Sequence, residues 1–372
     1  MTRPPAALAP GAIPALDGIR AIAVSLVFVA HSGLGDFIPG GLGVSIFFVL
    51  SGYLISTLMR IEYARTGTID YRGFYLRRLL RLMPPLLIVL AIASLLANLS
   101  VIDDNFTVGG LLSAVFYFGN YFVIAHDYQG LPAGIGVIWS LAVEEHYYLF
   151  YPPLAALLLR FGRVGFSAIV LVLLCVAVLA WRYWLMLHGG SPDYISVATD
   201  TRIDAILIGC LMALWRNPWL DPDMVPDSRY DWIVAATCVA VLLGTLLYRD
   251  ELFRHTLRYS LQNLAIAPLI YLAVAHAQRA PFRWLNARPL VYLGTISYTV
   301  YLTHHVILLM IAKHWPQLNW TALLFVTALL TLAVAEPMRR WVELPSAQLR
   351  KRLQQKRVPS TARSAQHSVG NP

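Results

Sequence analysis

Residues 16–31 read LDGIRAIAVSLVFVAH, an apolar run broken by Arg20 near its start and closed by His31, with ten residues between the two. An ionisable side chain in a lipid-spanning helix is costly, and such a residue marks a functional site by default. The surrounding chain supports a membrane reading. Of 372 residues, 58% are hydrophobic and 13% charged, whereas soluble domains approach a quarter charged. Apolar stretches recur along nearly the whole length, each close to the roughly 20 residues that cross a bilayer as helix. They begin near Ile19, Leu42, Leu82, Thr107, Val137, Val164, Ile203, Trp232, Leu261, Pro289 and Thr321.

An odd number of crossings would put the chain ends on opposite sides, which the basic residues do not fit. Residues 107–125, rich in Gly, Tyr and Asn, are therefore expected to re-enter or to lie among other helices. Basic loops then share one face: 60–81, Arg160 with Arg163, Arg216 with Arg229, 279–288, and everything from Arg339 onward. Roughly 22 of the 29 Lys and Arg fall inside and about five outside. The expected fold is all-α, a polytopic transmembrane helical bundle of about ten spans plus one re-entrant or non-spanning apolar segment, with both termini cytoplasmic. Residues 1–345 are read as the membrane domain and 346–372 as a basic disordered tail that can hold to anionic headgroups. MTRPPAALAPGAIPALDGIR lacks the pattern of a cleavable signal, so the first helix is expected to be retained. A net charge of +9 would suggest nucleic acid in a soluble protein, but here it sets topology, and no nucleic-acid partner is expected. Cys175, Cys210 and Cys238 sit singly in apolar spans without CxxC spacing, which argues against a disulfide framework or a metal site.

An α-helix rises about 1.5 Å per residue, so His31 lies about 16 Å beyond Arg20, in the outer half of the membrane. Residues 137–153, VIWSLAVEEHYYLFYPP, run inward, which brings Glu144 and Glu145 to a comparable expected depth. His304 and His305 reach the outer half on another span, and Arg202 with Asp204 opens a further one. A buried histidine beside a carboxylate makes a general base that works near neutral pH. His31 with Glu144 or Glu145 meets that requirement if their helices touch. Arg202 and Asp204 can pair as a staple at a helix end or contact substrate. His305, His146 and His126 read as local polar contacts, and Trp181, Trp184, Trp315 and Trp320 as interface belts. At the inner face, residues 71–85, YRGFYLRRLLRLMPP, carry Arg77, Arg78 and Arg81. Arg78 and Arg81, three apart on a helix, share a face and can grip one anionic group. A phosphate-bearing donor docking from the cytoplasm would fit.

In order and spacing these pieces resemble the membrane-bound acyltransferase-3 family. The resemblance runs from LDGIRAIAVSLVFVAH through GVSIFFVLSGYLI, the RxxR of Arg78 and Arg81, WSLAVEEHYYLFYPP, TRIDAILIG and GTISYTVYLTHH to WVELP at residues 341–345. It implies transfer of an acyl group, most often acetyl, from acyl-CoA as co-substrate to a hydroxyl of a carbohydrate or related acceptor. O-antigen, exopolysaccharide and other glycans are such acceptors, and a bacterial inner membrane is the implied location. In that reading Arg78 and Arg81, with Arg77 and Arg20, face the coenzyme A phosphates or its conduit. His31 is the general base, and Glu144 or Glu145 orients its ring. Tyr298, Ser140, Trp139 or Arg20 supplies donors to a developing oxyanion. His304 matches the SYxxYLxH pattern and, with Arg202 and Asp204, lines the substrate side. Glu343 and Pro345 match the closing motif and end a helix. Some family members carry a further extracytoplasmic esterase-like domain. Here a short basic stretch follows, so the bundle is expected to act alone or with a partner. The rival reading is a transporter or flippase of a lipid-linked or small polar substrate, but the hydropathy pattern holds no inverted repeat to support it.

Overall fold

A computed structural model of the chain describes residues 13–357 apart from 36, 104 and 226–228, with side chains to 353. Its first half holds α1 (Leu16–Val29), α2 (Gly40–Thr66), α3 (Tyr71–Asn98), α4 (Val108–Val115), α5 (Gly119–Ala125), α6 (Trp139–Phe161) and α7 (Val164–Leu187). There follow α8 (Pro192–Val197), α9 (Thr199–Arg202), α10 (Asp204–Trp215), α11 (Asp231–Leu247), α12 (Glu251–His255) and α13 (Leu257–Ala275). The last four are α14 (Arg288–Thr295), α15 (Ser297–His314), α16 (Trp320–Met338) and α17 (Leu344–Arg357). No strand is formed among the described residues.

Five stretches are long and apolar enough to cross a membrane: α1 with the turn after it, α2, α3, α7, and α16 with its continuation. A sixth is the pair α14 and α15, bent by 72° at Ile296. This is the build of a multi-pass membrane protein. Length and hydropathy thus support fewer crossings than the expected ten, and the reasons are local. The α6 helix carries Glu144, Glu145 and Arg160, α13 carries Arg258, Gln262 and Asn263, and α10 and α11 are short. The stretch expected not to cross folds as α4 and α5, of 8 and 7 residues, parted near Tyr117 at φ 61°. Neither helix can span a hydrocarbon core about 30 Å thick. The tail also departs from expectation, because α17 runs through the proposed boundary at 345 and packs on α3. Residues 358–372 lie outside the described residues.

The centre of the bundle is α2, packed most extensively on α10. Two glycines allow the approach. A Cβ at Gly52 would lie 1.9 Å from the Ile206 carbonyl oxygen, and one at Gly209 would lie 2.1 Å from that of Val49. Small residues at such crossings let backbones meet where no hydrophobic drive between helices exists. Polar groups fix the same pair. Tyr53 donates to Asn217 at 2.9 Å, and Arg60 forms an ion pair with Asp221 at 2.9 Å.

Candidate active site

Five helices enclose one charged cavity. Its polar lining comes from Arg20 on α1, Ser51 on α2, Arg78 and Arg81 on α3, Ser140, Glu144 and Tyr148 on α6, and Ser297, Tyr298 and Tyr301 on α15. Phe47, Phe48, Leu54, Leu82 and Leu141 are among its apolar walls. Arg20 forms an ion pair with Asp17 at 2.7 Å, and Ser51 donates to Glu144 at 2.6 Å. The Arg78 guanidinium lies over Tyr148, 4.4 Å from the ring centroid. Among the described residues neither Arg78 nor Arg81 has a carboxylate within the 4.0 Å of an ion pair. Three guanidiniums against one lining carboxylate make the cavity suited to a polyanion, and planar bidentate donors suit phosphate. Arg77 is not part of it, since it turns to Glu62 at 3.6 Å.

His31 meets neither Glu144 nor Glu145. Its Nδ1 lies 2.8 Å from His304 Nε2, and its ring stacks on His304 and His305 with centroids 5.1 and 4.6 Å away. The cause lies in α1 and α6. Beyond Val29 the helix widens into a π turn, Ala30–Leu34, that breaks at Gly33 with φ 98° and leaves His31 exposed beside α15. The α6 helix starts only at Trp139, after the turn Ile135–Ile138, so Glu144 falls among the α3 arginines. Glu145 Oε1 is buried without a hydrogen-bond partner. His305, expected as a local contact, instead belongs to the imidazole cluster.

The protons on this pair follow from its neighbours. His304 Nδ1 lies 2.7 Å from the Tyr301 carbonyl, which can only accept, so Nδ1 carries the hydrogen. Nε2 then holds a lone pair and accepts from His31 Nδ1–H. In the neutral ring of His31 the lone pair then sits on the remaining nitrogen, Nε2. Tyr301 belongs to both places: its carbonyl holds His304, while its hydroxyl donates to the Val137 carbonyl at 2.7 Å and meets Ser140 Oγ at 2.6 Å. Tyr298 lines the cavity and donates to the Leu82 carbonyl at 2.8 Å. Thr299, between them, donates to Glu343 at 2.5 Å and ties the closing motif to α15.

Arg202 and Asp204 do not pair. Asp204 takes Arg182 at 2.7 Å, both side chains being almost fully buried. Arg202 donates to Ser45 at 3.0 Å, with Trp139 at 5.9 Å. Sequence reasoning missed Arg182, which stands in the apolar run of α7 and was open to the argument applied to Arg20. It also missed Ser51 and Tyr301, whose roles rest on contacts distant in sequence. A second groove, between α6, α7 and α10, is apolar except for Asp200. That carboxylate is occupied by Tyr121, Tyr194 and Trp181.

A family model described as an acyltransferase domain, acyltransferase 3, matches residues 13–336. The Bacillus subtilis protein YrhL is 32% identical over 351 residues, 90% of this chain and 54% of its own length. The peptidoglycan O-acetyltransferase OatA of Listeria monocytogenes is 30% identical over 353 residues, 90% of this chain and 55% of its own. The O-acetyltransferase OatA of Staphylococcus aureus is 29% identical over 349 residues, 90% of this chain and 57% of its own. The chain therefore spans about half the length of the curated relatives it matches. No solved structure matches it. With the match running from the start of α1 to the end of α16, the chain belongs to the acyltransferase-3 family.

Proposed function

We propose that the chain is a membrane O-acyltransferase that moves an acyl group, acetyl in the first instance, from an acyl-CoA to a hydroxyl of a glycan. One observation carries the reading: a cavity lined by Arg20, Arg78 and Arg81, the last two without an ion-pair partner among the described residues, and the imidazole of His31, on the same helix as Arg20, are joined through Tyr301. Family membership and the O-acetyltransferase names of two relatives support it. Coenzyme A phosphates would lie at the arginines, and the pantetheine arm would lead the thioester past Ser140 and Tyr301 toward His31. His31 Nε2 takes the acceptor hydroxyl proton as the oxygen attacks the thioester carbonyl. The tetrahedral intermediate then expels the thiolate, which recovers that proton, leaving ester and free thiol. His304 holds His31 in the reactive tautomer, the role first assigned to a carboxylate. The acceptor is proposed as a glycan of the cell envelope, peptidoglycan included, on the strength of the Listeria relative's name.

In the same proposal the chain crosses the inner membrane ten times with both ends cytoplasmic, through α1, α2, α3, α6, α7, α9 with α10, α11, α13, α15 and α16. The deciding experiment is His31→Ala, purified and reconstituted, with acetyl-CoA and a glycan acceptor. Loss of general-base assistance is expected to lower kcat by about 10² to 10⁴ with donor affinity retained. A folded variant that transfers acetyl at the wild-type rate removes His31 from the reaction.

A further inference from the structure

On the α9, α10 and α13 side of the bundle, three arginines surround one tyrosine. The guanidinium carbon of Arg202 lies 3.9 Å from the Tyr259 ring centroid, and those of Arg258 and Arg182 lie 5.2 and 5.6 Å from it. One carboxylate, Asp204, stands among them, and Arg182 takes it. Asp204 is held by both terminal nitrogens of Arg182, at 3.1 and 2.7 Å, and by Ser260 at 3.1 Å. Arg202 is 2% exposed, and its hydrogen bond to Ser45 is its only one among the described residues. Arg258 Nε is buried with no hydrogen-bond partner, and neither Arg202 nor Arg258 has an ion-pair partner among the described residues. The cluster thus holds two uncompensated positive charges, one of them deeply buried. Unpaired buried charge is strongly unfavourable, and a guanidinium is the group best shaped to meet an oxyanion.

We propose that Arg202, assisted by Arg258, is an anion subsite that binds a carboxylate or phosphate carried by the acceptor. This rests on the acyltransferase reading. The subsite is separate from the arginine cavity of the donor, and its location explains its use. Trp139 faces Arg202, and the next residue, Ser140, meets the hydroxyl of Tyr301, whose carbonyl holds His304. Arg202 and the imidazole pair therefore flank the first turn of α6. An acceptor anchored by its anion at Arg202 presents a hydroxyl toward His31, whereas a neutral glycan lacks the anchor. The acceptor class is an anionic glycan.

The test uses the full chain in phosphatidylcholine nanodiscs and three probes: a glucuronate-terminated disaccharide, a phosphorylated disaccharide and the neutral glucose disaccharide. At least one anionic probe is expected to bind about 10- to 100-fold more tightly than the neutral one, the usual scale of a charged hydrogen bond. Arg202→Gln abolishes that preference, Arg202→Lys keeps part of it, and Arg258→Gln reduces it. If Arg202→Gln does not fold, the other two variants carry the test. Equal binding of all three sugars overturns the proposal, as does a preference unchanged in the variants. Repeating the titration in phosphatidylglycerol nanodiscs separates the sources of the anion. A preference erased by anionic lipid assigns the subsite to headgroup phosphate and overturns the acceptor assignment. A wild-type chain that binds the anionic sugar but transfers no acetyl sinks the acyltransferase reading and leaves the subsite standing.

Discussion

In the proposed reaction the base at His31 needs one nitrogen free and the other held, and the proposal gives the holding to His304. His304 can serve because its own Nδ1 is committed to the Tyr301 carbonyl at 2.7 Å. His304→Ala is therefore expected to lower kcat by about 10- to 100-fold, the scale seen when a functional histidine in a metal site loses the group that orients it, with KM for the donor unchanged. His304→Gln puts an acceptor oxygen near the lost Nε2 and should recover part of the rate. If Gln rescues no better than Ala, His304 does not act through the orientation of His31. The arginines give a paired contrast. Arg78→Gln and Arg81→Gln should each weaken acetyl-CoA binding by about 10- to 100-fold, as expected for charged hydrogen bonds. Arg77→Gln, whose charge is turned to Glu62, should leave the affinity within about twofold. Calorimetric titration of the three variants decides whether the cavity or the whole basic loop binds donor. The types of these residues were legible in the sequence, and most of their partners were not. Arg20, Arg78 and Arg81 announced themselves by charge in an apolar setting, and His31 by its depth. That His31 would meet His304 rather than Glu144 depends on where α1 breaks and where α6 begins, and no local pattern encodes either.

At the scale of the element, the chain's periodicity reveals helices but not which of them touch. The α2–α10 crossing depends on Gly52 and Gly209, and its tolerance can be measured. A methyl group at Gly209 would stand 2.1 Å from the Val49 carbonyl oxygen, a distance that forces the helices apart. Gly209→Ala should destabilise the fold by about 1 to 3 kcal/mol, the range for overpacking a filled contact. Thermal unfolding in detergent reads this directly, with Gly244→Ala as control because nothing lies within 4 Å of its Cβ position. Equal midpoints for the two variants would mean that the crossing is not close-packed. Two segments that the sequence counts as spans, α6 and α13, are less apolar than the five long crossing stretches: α6 bears Glu144 and Glu145, and α13 is diluted by its polar first turns. Their polarity faces neighbours: Ser51 on Glu144, Arg182 on Ser260, and Thr245 on Gln262 at 3.1 Å.

Across the whole molecule, helix ends that bond to one another must lie on the same side of the membrane. Arg60, near the end of α2, pairs with Asp221 beyond the end of α10, and His276 after α13 pairs with Asp231 at the start of α11. The Ala15 amide, before α1, donates to Asn286 just before α14, and Tyr292 of α14 donates to Glu336 near the end of α16. Each of these ends is internal in a ten-span bundle that begins inside. The opposite set agrees: Asp103, after α3, pairs with Lys313 at the end of α15, at 3.0 Å, and both ends are external in that count. Tyr121 of α5 bonds to Asp200, which also takes Trp181 near the end of α7, so in the same ten-span count the short helices fall on the external side. An eleven-span chain would place Asp103 and His126 on opposite sides, because α4 and α5 would then form a crossing between them. Single cysteines at Asp103 and His126, in a chain freed of Cys175, Cys210 and Cys238, should therefore both react with an impermeant maleimide from outside intact cells. A third at Gln348 on α17 should react only after the membrane is opened. Labelling of Asp103 and His126 from opposite sides would refute the ten-span bundle, and with it the assignment of the arginine cavity to the side where coenzyme A is made available.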